Sequence, residues 1–314
     1  MRCVDEMDYL TLAPGLPPSS RLGFGCGGVM GRVGRAPSLR AIAAALDGGV
    51  THFDVARLYG YGGAEALVGE ALAGVRDRVV IASKFGLTAT RAAGALRALK
   101  PIAQKLAASV PGARSMMRSL VGVAAQPADR FSAAAAQASL DQSLAALKTD
   151  YLDILFLHDC DADDLSDELA AFLDSQIAAG KIRAWGVASD IAAVAPLHAN
   201  HGDRLLYQFP NSIGTPNADM LPAQGQGFIC HSPFADSAAV AARLTGSLAS
   251  GDVHRAMLGY ALAVPNVAVV LCSMLDETHL RANLDAVEHR HFSAEQLAAF
   301  AARAGTSMVN ATAA

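Results

Sequence analysis

The sequence predicts an α/β fold, a closed (β/α)8 barrel formed by the 314 residues as a single domain. Three observations carry this. Short apolar runs alternate with helical patterns, as parallel strands and their crossover helices do. There are eight strand-like runs, seven intervening helices and a final one, the count of a closed barrel. Polar residues able to do chemistry stand at the C-terminal ends of several runs, on the rim where barrel enzymes keep their active sites.

Residues 8–22, with Pro14-Gly15-Leu16-Pro17-Pro18, read as an N-terminal hairpin cap ahead of the first strand. Strands are expected at Leu22–Cys26, Thr51–Asp54, Val79–Ser83, Tyr151–Leu157, Ala184–Val187, Leu205–Gln208, Gly227–Cys230 and Val267–Cys272. These are apolar runs, as in strands buried on both faces. Helices are expected at Ser38–Asp47, Ala64–Leu72, Pro127–Leu147, Asp167–Gly180, Ile191–His198, Ser237–Leu248 (running on to Ala263), Glu277–Val287 and Ser293–Ala302. Residues 86–130 interrupt the alternation with a long loop after strand 3, carrying basic clusters at Arg91, Arg97 to Lys100 and Arg114 to Arg118. Loops of this length are usually functional or mobile. The segment reads as a lid or insertion with a helix near Ala93–Ser109, or else as a solvated excursion.

Composition narrows the function. With 52% hydrophobic and 17% charged residues the chain has ample core material, and a net charge of −4 without a basic run argues against a nucleic-acid or anionic-membrane partner. Met1 to Glu6 carries no apolar signal region, so a cytoplasmic protein is expected. Cys3, Cys26, Cys160, Cys230 and Cys272 form no C-x-x-C pair, so reduced thiols and no metal are expected. Gly23, Gly25 and Gly28 satisfy the G-x-G-x-x-G fingerprint, but Pro17 and Pro18 crowd the preceding strand and Arg32 to Pro37 follow where its helix should begin. These glycines read instead as sites of close backbone approach.

The most informative stretch is Thr51 to Gly60, which ends an apolar run with Asp54 and places Tyr59 five residues on. Lys84, His158 and Gln208 end other runs. Together they suit proton transfer to a carbonyl oxygen. An isolated phenol, with a pKa of about 10, is a poor acid at neutral pH. A neighbouring ammonium, Lys84, would stabilise its phenolate. Asp54 would hold Lys84 charged, and His158 would hydrogen-bond the developing oxyanion. Singly, each residue has an ordinary reading: Asp54 as a turn cap, Tyr59 at the core edge, Lys84 snorkelling, His158 structural. Lys84 as a pyridoxal phosphate Schiff base, or carbamylated beside His52, Asp54 and His158 to bridge metals, are competing chemistries. A cofactor-binding regulatory or scaffold barrel with little turnover is the alternative from another class.

Asp54-Val55-Ala56-Arg57-Leu58-Tyr59-Gly60 with Glu65 and Gly69, Lys84 after a strand, and His158 after Tyr151 to Leu155 together resemble the aldo-keto reductase family. Gly180 to Ser189 is similar to the family's segment ahead of its nicotinamide site, and the resemblance covers roughly residues 20–290. It implies a TIM barrel that reduces an aldehyde or ketone to an alcohol, or the reverse, with NADP(H) or NAD(H). By position, Tyr59 is the proton donor with Asp54, Lys84 and His158 as partners. Ser189, Asp190 and Gln208 would hold the carboxamide, and His231 would stack on the nicotinamide with Ser232 beside it. Ser273, His279 and Asn283 would reach the adenosine end. Asp190 stands where asparagine is usual, and Ser273 and His279 where NADP-specific members often carry Lys and Arg. Arg281 or Arg243 would then supply the missing charge. Leu58 and Phe85 would line an apolar, open pocket mouth for a small carbonyl or alcohol substrate.

Overall fold

The computed structural model describes residues 7–87, 127–222, 225, 227–244, 246, 248–249, 251–289 and 291–305. The expected Ala93–Ser109 helix and most of the expected lid lie outside them. Two short strands, β1 (Tyr9–Leu10) and β2 (Ser19–Ser20), pair antiparallel, so the N-terminal hairpin cap is present. Eight parallel strands follow: β3 (Leu22–Gly25), β4 (His52–Asp54), β5 (Val80–Phe85), β6 (Leu152–His158), β7 (Ile182–Ala188), β8 (Leu206–Pro210), β9 (Phe228–His231) and β10 (Val267–Cys272). They close in chain order, with β10 pairing β3.

The helices outside the barrel are α1 (Arg35–Asp47), α2 (Ala64–Leu72), α3 (Ala133–Leu147), α4 (Asp167–Ala178), α5 (Ile191–His201), α6 (Ser237–Leu244), α7 (Asp252–Ala263), α8 (Glu277–Glu288) and α9 (Ala294–Gly305). No helix among the described residues is long and apolar enough to cross a membrane. Of the boundaries that differ from the sequence expectation, three have clear local reasons. β3 stops at Gly25 because Cys26–Gly28 bends into a 3-10 turn. α3 starts at Ala133, not Pro127, because the Ser132 hydroxyl accepts the Ala135 N–H as an N-cap. The run expected from Ser237 to Ala263 divides into α6 and α7 across a glycine-bearing link in which Gly246 has φ +81°.

Alternation sorts the strand side chains. Val80, Ala82, Ile154, Phe156, Ala184, Ala188, Leu206, Ile229, Val269 and Leu271 share an inner cluster with Leu12, Ala13 and Leu16 of the cap, which therefore packs into the barrel interior. Phe53, Ile81, Leu155, Trp185 and Tyr207 belong to the other cluster, between sheet and helices. Two glycines make the inner packing possible. A Cβ on Gly186 would lie 1.9 Å from the Leu206 carbonyl oxygen, and one on Gly23 would lie 2.5 Å from Leu271 Cδ2. The Gly23-Gly25-Gly28 motif thus serves close packing; only a short 3-10 turn and no α-helix begins within it, and the Rossmann reading falls away.

Near the N-terminal strand ends, the fully buried Asp153 carboxylate accepts from Arg76 Nη1 at 2.6 Å, Arg183 Nη1 at 2.8 Å and the Ile81 N–H at 2.9 Å. Both guanidiniums also lie over the Tyr151 ring, 3.9 and 4.1 Å from its centroid. This knot ties β5, β6 and β7 at one end. Removing its anion leaves two cations without their partner, which costs about 3 kcal/mol or more. Asp153→Ala should therefore lower the urea midpoint by that much free energy. A loss below about 1 kcal/mol, the value of an exposed pair, would refute the assignment of this knot as a structural anchor.

Candidate active site

The registers bring the sequence-selected polar residues onto the inner face of one rim. Asp54 stands opposite Ala82, and Lys84 is two residues further along β5. Lys84 in turn faces Phe156, and His158 is two residues beyond. His158, Ala188 and Gln208 then follow in one register across β6, β7 and β8. Lys84 Nζ donates to Asp54 Oδ1 at 2.5 Å and to the Val55 carbonyl at 3.2 Å. Gln208 Nε2 donates to the other carboxylate oxygen of Asp54 at 2.8 Å. Lys84 is only 3% exposed and Asp54 4%.

Tyr59 reaches this pair from the loop after β4. The Val55 N–H donates to the Ala82 carbonyl and the Tyr59 N–H to the Ala56 carbonyl. Gly60 takes φ +59°, where a Cβ would lie 2.5 Å from the Val29 carbonyl oxygen, so only glycine fits the turn. Arg57 pairs with the buried Glu65 at 2.6 Å, and Glu65 accepts from Ser83 Oγ at 2.7 Å. The loop is thereby fastened to α2 and β5. Lys84 Nζ lies 5.3 Å from the Tyr59 ring centroid, and the His158 ring meets Tyr59 edge-on with centroids 6.1 Å apart.

The titrations follow from this geometry. The Lys84 ammonium pulls the Tyr59 phenol down most strongly, but burial, Asp54 and Cys26 together push it further up, above its ordinary value of 10.0. The expected net lowering is corrected: burial, Asp54 and Cys26 together outweigh the ammonium's pull. Burial opposes charge on Lys84, yet Asp54 and Tyr59 hold it above 10.5. That fixes it as an ammonium, not the free amine that a Schiff base or a carbamate requires. Burial, then the Lys84 charge, holds His158 down at about 3, so it is a neutral ring. Its Nδ1 is buried without a partner among the described residues. Placing the proton on Nε2 leaves only an acceptor unsatisfied and gives the ring a donor.

A cavity of about 940 Å³ opens over these groups. Asp54, Tyr59, Lys84, His158, Ser189, Asp190, Gln208, His231, Ser232 and Ser273 all line it. Ser189 Oγ donates to the Cys160 carbonyl, and Asp190 caps α5 by accepting the Ala193 N–H at 3.0 Å. Four of the expected residues stand outside its lining. Phe85 is fully buried and meets Phe131 edge-on, because it follows the inward Lys84 on the strand and so points outward. Leu58 is partly buried and does not line the cavity. His279 is exposed outside it. Asn283, 1% exposed, bonds His254 Nε2 at 2.7 Å, and that ring stacks at 4.2 Å on Phe234, which does line the cavity. The substitute cations are engaged elsewhere: Arg281 with Glu277, Arg243 with the Ala304 carbonyl. Arg32, Leu87 and Asp159 line the cavity unforeseen. They lie in loops, where apolar periodicity gives no signal.

The family model for the aldo/keto reductase family matches residues 21–246. Aldo-keto reductase YhdN of Bacillus subtilis is 31% identical over 205 residues, covering 61% of this chain and 52% of that protein. The 6-dehydroglucose reductase of Novosphingobium aromaticivorans is 31% identical over 167 residues, covering 50% of this chain and 43% of that one. The chain thus spans about half the length of the curated relatives it matches. The holo form of an aldo-keto reductase from Bacillus halodurans superposes with a TM-score of 0.75 at 23% identity, covering 96% of this chain and 97% of that one, which shows the shared fold.

Burial holds His158 down at about 3 and His52 at about 4, both below the ordinary imidazole value of 6.5. As the pH falls from about 6.5 toward 4, the unfolded chain binds protons that the folded chain refuses. Stability from this source is therefore complete above that window and lost across it. The melting temperature should fall between pH 6.5 and 4, less steeply in His158→Gln, while ring 15N shifts keep His158 neutral throughout. A His158 titration near 6.5 would contradict the burial assigned to it.

Proposed function

The chain belongs to the aldo/keto reductase family, and from that premise we propose that it interconverts an aldehyde or ketone and the corresponding alcohol, using NADP(H) or NAD(H), with Tyr59 as proton donor. One observation carries this reading: the phenol stands beside a fully buried ammonium–carboxylate pair, with a neutral imidazole at its edge. The cavity fits a dinucleotide. Its volume is at the upper end of small-molecule pockets, roughly 300–1,000 Å³, and Ser189, Gln208, His231, Ser232 and Ser273 set polar groups along it. When bound, the nicotinamide supplies or accepts the hydride.

The chain's own groups handle the oxygen. Tyr59 gives its phenolic proton to the carbonyl oxygen as negative charge builds there. The Lys84 ammonium stabilises the phenolate left behind, and Asp54 with Gln208 holds that ammonium in place. His158 donates from Nε2 to the same substrate oxygen, in a buried setting that strengthens the bond. In the alcohol-oxidising direction Tyr59 takes the proton back. The substrate is a small polar carbonyl or alcohol. Asp159, exposed and next to His158 in sequence, lines the cavity and is placed to accept from a substrate hydroxyl. That agrees with a relative named for 6-dehydroglucose, while Leu87, Pro210, Phe234 and Leu271 keep much of the wall apolar.

Tyr59→Phe removes the proton donor and little volume. Its kcat should fall at least about 100-fold, the lower end of general acid catalysis, while dinucleotide affinity by calorimetry stays within a few-fold. Trp185 fluorescence is a poorer readout, because that indole faces the helices and donates to Asp174. A variant that turns over like the wild type would remove Tyr59 from the mechanism. A wild type that binds dinucleotide but turns over no carbonyl or alcohol would favour the low-turnover scaffold.

A further inference from the structure

We infer that Arg32 is the cation that meets the phosphates of the bound dinucleotide, a role the first-strand loop takes on because the residues at the adenosine end leave it unfilled. This rests on the dinucleotide reading above.

The need comes from charge. A nicotinamide dinucleotide carries a diphosphate, and in one form a further 2′-phosphate, and such groups are held by fixed cations, best by the guanidinium fork. Two cations, Arg32 and Lys84, line the cavity among the described residues, beside three carboxylates, Asp54, Asp159 and Asp190. Lys84 is consumed by Asp54. Ser273 is uncharged, His279 lies outside the cavity, and Arg243 and Arg281 are occupied elsewhere. Among the described residues the Arg32 guanidinium has no hydrogen bond or ion pair, and it is exposed at the mouth.

Topology places it at the matching end. The proton-transfer groups sit on β4, β5 and β6 and their loops, and Ser189 and Gln208 on or just after β7 and β8. The loops after β9, β10 and β3, which are neighbours in the closed barrel, supply Ser232 to Ala235, Ser273 and Arg32. A dinucleotide with its nicotinamide over β7 and β8 therefore runs its phosphates toward β9, β10 and β3. The site is also built. The N–H groups of Gly31, Arg32 and Val33 all donate to the Gly28 carbonyl, and Met30 takes φ +59°. A Cβ on Gly28 would lie 2.4 Å from Leu275 Cδ1 and 3.3 Å from Arg32 Cβ. A bare glycine thus lets the Arg32 stem and Leu275, from the loop after β10, meet across it.

The test is calorimetric titration of the full chain with NADPH and with NADH, comparing wild type, Arg32→Ala, Arg32→Glu and Arg32→Lys at low and high salt. Losing a charge-assisted contact should weaken binding roughly 10- to 100-fold in Arg32→Ala, further in Arg32→Glu and less in Arg32→Lys, with a shallower salt dependence. Weakening toward NADPH and NADH alike places the guanidinium on the diphosphate; weakening toward NADPH alone places it on the 2′-phosphate; both support the inference. Arg32→Ala and Arg32→Glu binding both dinucleotides as the wild type does would overturn it and leave the reductase reading standing. A wild type that binds neither dinucleotide would overturn both. The variants should melt as the wild type does, since the side chain has no partner to lose.

Discussion

The buried pair of Lys84 and Asp54 is the interaction on which the site depends. Burying a charge alone costs several kcal/mol, so each ion is tolerable only with its partner and with its remaining hydrogen-bonding capacity used. Both conditions are met: Asp54 spends one oxygen on Lys84 and the other on Gln208, and Lys84 also donates to the Val55 carbonyl. Asp54 stands on β4 and Gln208 on β8, four strands apart in a ring of eight, so this polar bridge crosses the barrel. Below it the interior is filled with Phe156, Ile154 and Leu206; at its level the apolar layers give way to hydrogen-bonded polar groups.

The strands that carry this bridge are also tightly packed. Gly23 and Gly186 occupy inward positions where a Cβ would meet a neighbouring strand or its side chains. Small residues (Gly23, Ala82, Ala184, Gly186, Ala188) alternate inside with larger ones such as Phe156 and Leu206. The tightness at Gly186, whose missing Cβ would press on the Leu206 carbonyl, lies between β7 and β8, the strands that carry Ser189 and Gln208 to the rim. Packing and chemistry thus constrain the same strands.

The barrel was legible because its strands are continuous apolar runs ending in polar residues, a period that sequence displays directly. Asp54, Lys84, His158 and Gln208 share an inner face because their registers and parity match, and both follow once the strands are placed. Phe85 failed for the same reason: an adjacent strand residue points the other way, and proximity in sequence to Lys84 was mistaken for proximity in space. Asn283 sits on the buried face of α8, whereas Leu58 and His279 stand in a loop and a first helical turn, where no period orients them toward the cavity. Arg32, Leu87 and Asp159 were missed on that account too. The sign of the Tyr59 shift is not legible in the sequence because it is a sum: Lys84 lowers the phenol, whereas burial, Asp54 and Cys26 in the fold together raise it further.

That sum bears on how proton transfer works. A phenol raised above 10 and an imidazole lowered to about 3 are both donors at neutral pH, and neither is poised to ionise at rest. A site that stabilised phenolate in the resting protein would lose the proton it needs to give. In the proposed reaction Asp54 already pairs with the ammonium at rest, and a second anion, the phenolate, forms beside it only as Tyr59 releases its proton. The attraction is therefore larger after proton transfer than before, which is the condition for lowering a barrier and not merely shifting a ground state. In the proposed reaction the neutral imidazole follows the same logic, donating to an oxygen that becomes a strong acceptor only as it gains charge. Preorganised donors held by a buried ion pair would account for that chemistry better than a phenol tuned to neutral pH.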